Sequence, residues 1–236
     1  MNTHALTDVG RTRETNEDAV LVDEINGRQL LIVADGMGGH AAGDVASEEA
    51  TAEIHRVIDK RLTNGDTDSE AILSDAVEAA NQRLQRLIED DASLYGMGTT
   101  VVAALIAEAE ATIVNVGDSR AYHIGETIEQ VTVDQSLVQE LVDSGEITKE
   151  EAQTHPQRNV VSQALGTNTS VAPDLYEVSV SDTLLLCSDG LSEEVDEIRI
   201  AEVVTETSSL ESAAERLIKL ANKNGGSDNI TVALAN

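Results

Sequence analysis

Four aspartates, Asp35, Asp118, Asp189 and Asp228, stand where an apolar run gives way to glycine or a polar turn, in "IVADGMGG", "VNVGDSR", "LLCSDGLS" and "GGSDNITV". Any one of them alone reads most simply as a turn former or a helix cap. Four in the same context favour a shared cation, because like charges gathered at low dielectric need compensation. Mg²⁺ and Mn²⁺ suit such a cluster: they take oxygen ligands, few of them from protein, and fill the remaining octahedral positions with water. The glycines after Asp35 also suggest a backbone cradle for phosphate. Against that, "DGMGGHAAGD" has neither the Lys-Ser/Thr of a nucleotide P-loop nor the GxGxxG order of a dinucleotide site. Zinc fits poorly with scattered histidines and a single thiol.

The elements that must position these carboxylates follow from periodicity. "DAVLVDEINGRQLLIVA" predicts two strands joined at Asn26-Gly27. A helix is expected from near Ala41, carrying Val45, Ile54, Val57, Ile58 and Leu62, and a second carries Ile72, Leu73, Ala76, Val77, Ala80, Leu84, Leu87 and Ile88. The polar "TNGDTDS" between them makes an antiparallel helix pair. Four short apolar runs, "TTVVAALIAE", "ATIVNVGDS", "RAYHIGE" and "TIEQVTVD", predict an antiparallel meander. Residues 135–169 break into short helical pieces, expected to form a surface flap. A strand "TLLLCS", helices "DEIRIAEVVTET" and "SLESAAERLIKLANK", and a strand "NITVALA" complete the chain. Grouped rather than alternating elements predict an α+β fold of packed sheets with helices outside. With no Pro- or Gly-rich linker, residues 1–236 read as a single domain.

Composition narrows the function. Asp and Glu number 44 against 15 Lys and Arg, a formal net charge of -29 spread along the chain, which excludes a nucleic-acid or anionic-membrane surface. Lysine occurs four times against eleven arginines, and the aromatics are three Tyr with no Phe or Trp. An acidic surface over a core of small apolar residues suggests a salt-rich cytoplasm, where screening removes self-repulsion. Regular apolar periodicity argues against disorder. Cys187, inside "DTLLLCSDG", reads as a small hydrophobe. No apolar run approaches the roughly 18 residues of a membrane span, and the N-terminus has no signal core. A soluble, cytoplasmic monomer is expected.

In chain order, "GRTRETNED", "VADGMGGH", "MGTT", "VGDSRAY", "DQSLV", "HPQRNVVSQALG", "LLLCSDGLSE" and "GGSDNITV" resemble the metal-dependent protein phosphatases of the PP2C (PPM) family, in its bacterial single-domain form. The resemblance spans nearly the whole chain. It implies a four-layer αββα sandwich of two mainly antiparallel sheets between helix pairs. It also implies hydrolysis of phosphoserine and phosphothreonine in proteins by a metal-activated water, with Mn²⁺ or Mg²⁺, two per site and a weaker third. By motif, Asp35 would bridge two cations and the Gly36 carbonyl would bind one. Asp189 and Asp228 would hold the other, and Asp118 with Asp189 the third. Glu17 and Asp18 would order the cations' waters, and Arg13 would grip the substrate phosphate, with Arg11 a nearby competitor. "MGTT" would support the sheet beside the site, with Gly98 allowing close packing. The flap falls at about 134–169, and the partners implied are phosphoproteins made by a serine/threonine kinase.

Two departures stand out. "DQSLV" has Gln135 where many relatives have histidine, and Met37 follows the "DG" pair where some have histidine, so with His40 three residues further on the general acid stays unassigned. A haloacid-dehalogenase-type phosphatase would need a DxD after a strand, which "VADGMGG" lacks. A catalytically silent phosphoprotein-binding domain would have lost metal aspartates, and all are present.

Overall fold

The computed structural model describes residues 1–38 and 42–236. The helix start expected near Ala41, and His40, lie outside the described residues. In chain order the elements are β1 (Thr3–Asp8), β2 (Asp18–Ile25), β3 (Arg28–Met37), α1 (Gly43–Thr63), α2 (Ser69–Asp90), β4 (Gly98–Thr99), β5 (Val101–Ala107), β6 (Glu110–Val116), β7 (Arg120–Ile124), β8 (Ile128–Gln130), α3 (Leu137–Asp143), α4 (Lys149–Gln153), β9 (Asp174–Ser179), β10 (Thr183–Cys187), α5 (Asp189–Ser192), α6 (Glu197–Glu206), α7 (Leu210–Asn224) and β11 (Ile230–Ala235).

Asn26 and Gly27 both adopt positive φ, 51° and 79°, the twist that a two-residue hairpin needs between β2 and β3. Asp68 caps α2 through a bond from the Ala71 amide, and Ser209 caps α7 in the same way from Ser212. One sheet runs β1-β11-β10-β7-β8 and the other β2-β3-β5-β6-β9, with β4 beside β3. Every pairing is antiparallel.

Alternation along the strands sorts the side chains into three apolar layers. Leu30 and Ile32 of β3 pack with Ile54, Ile58, Leu73 and Leu84 of α1 and α2. Leu31 and Val33 point the other way and meet Leu184, Leu186 and Ala233 across the sandwich. Beyond the second sheet, Leu185, Val232 and Leu234 pack on Ile200, Val203, Leu217 and Ile218 of α6 and α7. The result is the expected αββα order. Tyr122 is the one aromatic among the largest fully buried side chains of the described residues, and Leu, Ile, Val and Ala, with Met97 and Cys187, fill the rest.

Three local expectations change. The four-run meander does not stay in one sheet: β5 and β6 join the first helix pair's sheet, and after Gly117 the chain crosses so that β7 and β8 join the other. Residues 127–134 form only three residues of strand, because the Thr132 hydroxyl, in place of a backbone carbonyl, accepts from the Ala121 amide. Two edge strands, β1 and β9, were not among the named runs.

Candidate metal centre

The carboxylates converge because of register. Asp18 and Asp35 are direct partners across β2 and β3, so their side chains share a face. That face is the one carrying Val33 and Val20 into the space between the sheets. At this end of the sandwich the inward positions turn from apolar to polar. Ser188 follows Cys187 of β10, and Asn229 precedes β11. Asp189 opens α5, Asp228 leads into β11, and Asp118 sits in the crossing from β6 to β7.

Together these ends surround a cavity of about 400 Å³ lined by Asp35, Asp118, Asp189 and Asp228, with Arg13, Glu17, Gly36 and Asn229 beside them. Asn159 and Val161 of the 134–169 segment complete the wall. Met37 lines it as well. Asp18 is set behind Asp35 and accepts from the Ser188 hydroxyl at 2.8 Å.

The backbone of Asp35 is tied on both sides. The Asp35 carbonyl accepts from the Thr100 amide and from the Thr99 hydroxyl, each at 2.9 Å, and the Asp35 amide donates to Thr100 Oγ1 at 3.2 Å. "MGTT" therefore does support the site, and a Cβ at Gly98 would run into Thr167. Gly36 has no room for a side chain: a Cβ there would land on the carbonyl oxygens of Gly43 and Glu17. Asn229 is the organiser that motif reading left without a role. Its Oδ1 accepts from the Glu17 amide at 2.8 Å, and its Nδ2 donates to the carbonyls of Val9 and Thr15 at 2.9 and 3.0 Å. One buried side chain thus pins the arm that carries Arg13, Glu17 and Asp18 against β11. Ser188 plays the matching part for Asp18 while also accepting from the Thr231 amide. Neither residue type signals such a role from sequence, since the partners are distant along the chain.

Arg13 Nη2 lies 2.7 Å from Asp228 Oδ2, with the guanidinium half exposed at the cavity mouth. Arg11 turns away: its amide donates to the Gly226 carbonyl, and its side chain packs on that turn. Cys187 is fully buried, and burial pushes its thiol up to about 12, which leaves it inert.

The electrostatics fit a cation. Burial raises Asp35 and Asp189 well above the carboxylate range, and the charges of Asp18 on Asp35 and of Asp118 on Asp189 raise them further. Burial pushes Asp118 up to about 7, with Asp134 adding to it, and Asp18 up to about 6. Glu17 is raised by burial against the opposing charge of Arg13. One buried oxygen on Asp189, Oδ1, and one on Asp18, Oδ1, have no hydrogen-bond partner. Orphaned oxygens on mutually repelling carboxylates are what a hard divalent ion and its waters would satisfy. Among the described residues no three such side chains close on one point as a ready-made cage. Octahedral ions that keep most of their water need none.

Residues 10–234 match the protein phosphatase 2C family. The chain is 43% identical over 241 residues to the serine/threonine phosphatase Stp of Listeria innocua, covering 99% of this chain and 95% of that one. It is 40% identical to the protein phosphatase PhpP of Streptococcus pneumoniae, covering 99% and 96%. The crystal structure of the serine/threonine phosphatase Stp1 from Staphylococcus aureus superposes with a TM-score of 0.91 at 40% identity, covering 99% of this chain and 93% of that one. The catalytic domain of the phosphatase PstP in complex with two manganese ions superposes with a TM-score of 0.85 at 37% identity, covering 99% and 96%.

Proposed function

Because the chain belongs to the protein phosphatase 2C family and is a metal-dependent serine/threonine phosphatase, we propose that the cavity between its two sheets is the active site. The observation that carries this is the ring of four strand-end aspartates around one cavity, with a buried oxygen of Asp189 lacking any partner. Asp35 and the Gly36 carbonyl would hold one Mn²⁺ or Mg²⁺, and Asp35, Asp189 and Asp228 a second. Asp118 with Asp189 would hold a weaker third. When bound, such ions lower the pKa of water, orient it in line with phosphorus and neutralise phosphoryl charge.

The chain's own residues do the rest. Glu17 and Asp18 would accept hydrogen bonds from ordered water and fix its direction. Arg13 has donors beyond the one spent on Asp228, and its planar guanidinium suits two phosphoryl oxygens. Attack by water breaks the ester P–O bond, and the serine or threonine oxygen leaves with a proton drawn from the solvent network, Met37 offering none. Asn159 and Val161 on the flap, about 134–169, shape access. The substrates are phosphoproteins of a serine/threonine kinase.

No described helix is long and apolar enough to cross a membrane. Among the described residues the large apolar side chains that are well exposed are few, Tyr95 and Ile198 the most so, which supports a monomer; the cytoplasm is the proposed compartment. The net charge of -29 supports adaptation to high salt.

Hydrolysis of p-nitrophenyl phosphate and a phosphothreonine peptide, with Mn²⁺, Mg²⁺ or EDTA at low and multimolar KCl, tests these points together. Turnover should need the metal, and Asp35→Ala should lower it by roughly a thousandfold. Arg13→Ala should mainly raise KM. Metal-independent turnover, or an active Asp35→Ala, would reject the site, and a melting temperature unchanged by KCl would reject salt adaptation.

A further inference from the structure

Of the three aromatic side chains in this protein, two are used inside it. Tyr122 is fully buried, and the hydroxyl of the half-buried Tyr176 accepts from the Val133 amide at 3.1 Å. Tyr95 is 86% exposed, yet the turn that carries it is tightly tied. Asp91 caps that turn, its carboxylate accepting from the Ser93 amide at 2.9 Å and the Ser93 hydroxyl at 2.7 Å. The Tyr95 amide donates to the Ala92 carbonyl at 3.3 Å, and the Met97 amide to the Leu94 carbonyl at 3.0 Å. Leu94 packs on the core and Met97 is fully buried, so the chain is anchored on both sides of Tyr95 and Gly96. Gly96, with φ of 88°, takes the reversal between them.

This turn stands at the end of the molecule that holds the cavity. Helix α1 starts against Gly36, where a Cβ would strike the Gly43 carbonyl, and runs away from it for 21 residues. Helix α2 packs along α1 and returns over 22 residues, which brings its end level with the start of α1. The chain then passes beside the cavity wall. Gly98 pairs with Met37, and a Cβ on Gly38 would meet the Met97 Cα at 3.1 Å and the Gly96 carbonyl oxygen at 3.4 Å. Met37 and Gly38 line the cavity, so Tyr95 is one residue away from backbone that touches its wall. An extended peptide advances roughly 3.3 Å per residue, so one whose phosphate sat in the cavity would pass this ring within a few residues.

The ring has acids around it. Glu89, Asp90 and Asp91, at the end of α2 and the start of the turn, are all exposed. An aromatic face beside carboxylates suits a cation, above all a guanidinium, which stacks flat on a phenol and pairs with the acids next to it. We propose that Tyr95 is a specificity-determining residue that receives an arginine or lysine flanking the phosphoserine or phosphothreonine, so that the preferred substrates are phosphopeptides with a basic residue near the phosphate. The inference rests on the reading of the cavity as the active site. p-Nitrophenyl phosphate enters the cavity with no flanking residues, so it tests that reading by itself.

The experiment measures kcat and KM, with Mn²⁺ and at one KCl concentration, for the native full chain, Tyr95→Ala and Tyr95→Phe. The substrates are p-nitrophenyl phosphate and phosphothreonine peptides in which a single arginine is moved through the four positions on either side. For the native chain, one or two arginine positions should lower KM by about fourfold, the scale of an exposed cation–π contact. Tyr95→Ala should erase that preference and leave p-nitrophenyl phosphate turnover unchanged, and Tyr95→Phe, which keeps the ring face, should retain it. Attraction by the net charge of -29 alone would lower KM for all arginine positions alike and persist in Tyr95→Ala. The idea is overturned by that pattern, by a native chain indifferent to arginine, by a preference lost as fully in Tyr95→Phe as in Tyr95→Ala, or by an equal rise in KM for p-nitrophenyl phosphate. A native chain inactive on p-nitrophenyl phosphate would overturn the reading of the cavity and this inference with it.

Discussion

The cavity has two kinds of wall. Asp35, Asp189 and Asp228 hang from strand ends backed by three buried apolar layers. Asn159 and Val161 reach the same space from a segment whose two short helices, α3 and α4, bury none of their residues. The first wall is fixed by register, in which a one-residue slip would turn Asp35 out of the sandwich. The second is held by isolated bridges, Ser136 with Val161 and Thr99 with Leu165, by side-chain amides to backbone, and by a long ion pair, Arg158 Nε to Glu193 Oε1 at 3.5 Å. Such a division would keep the proposed chemistry rigid and leave access adjustable.

The sharpest way to break this contrast is to cut an amide on each wall. Asn229→Ala removes three bonds to the arm that bears Arg13 and Glu17 and leaves a buried amide and two carbonyls unmatched. It should lower stability by about 3 kcal/mol in urea unfolding, with turnover falling as well. A loss no larger than that of the flap variant below would mean that the strand wall is no stiffer.

A second test uses charge. In the metal-free chain Asp118 and Asp18 sit near about 7 and about 6, above the ordinary 3.8, and Asp35 and Asp189 are raised well beyond it. The folded state then binds more protons than the unfolded one between the ordinary value and the raised ones. Stability in EDTA should therefore be greatest near pH 4 and decline as pH rises through 7. Saturating Mn²⁺ should flatten that decline, as read from melting temperatures at pH 5 and pH 7.5. An identical slope with and without Mn²⁺ would show that the strand wall is not where the cations act.

The smallest effect belongs to the flap. Gln163→Ala gives up one bond at 2.8 Å from the Ala172 amide and one at 3.4 Å to its carbonyl. Because the site is exposed, the change should be within about 0.5 kcal/mol, with phosphopeptide KM moving more than kcat.

The same division governs what the amino-acid order discloses. The Asn26-Gly27 hairpin, the α1–α2 pair and the four aspartates carry local signals, namely turn chemistry, helical spacing and a carboxylate at the end of an apolar run. The placing of β7 in the other sheet carries none, since period-two alternation is the same in either sheet. Edge strands β1 and β9 mix polar and apolar residues because one side has no partner strand. Asn229 and Ser188 act on residues up to 220 and 170 positions away, so nothing nearby marks them.

The pairing of β1 with β11, in register from Thr3 against Ala235 to Asp8 against Ile230, also sets a time order for synthesis. Asp228 and Asn229 leave the ribosome long after Arg13, Asp35 and Asp118. Until they arrive, the arm lacks its anchor in Asn229, and the proposed second ion would lack a ligand. On the proposed assignment, a chain still short of β11 would hold an incomplete site, and turnover would begin only once β11 closes against β1.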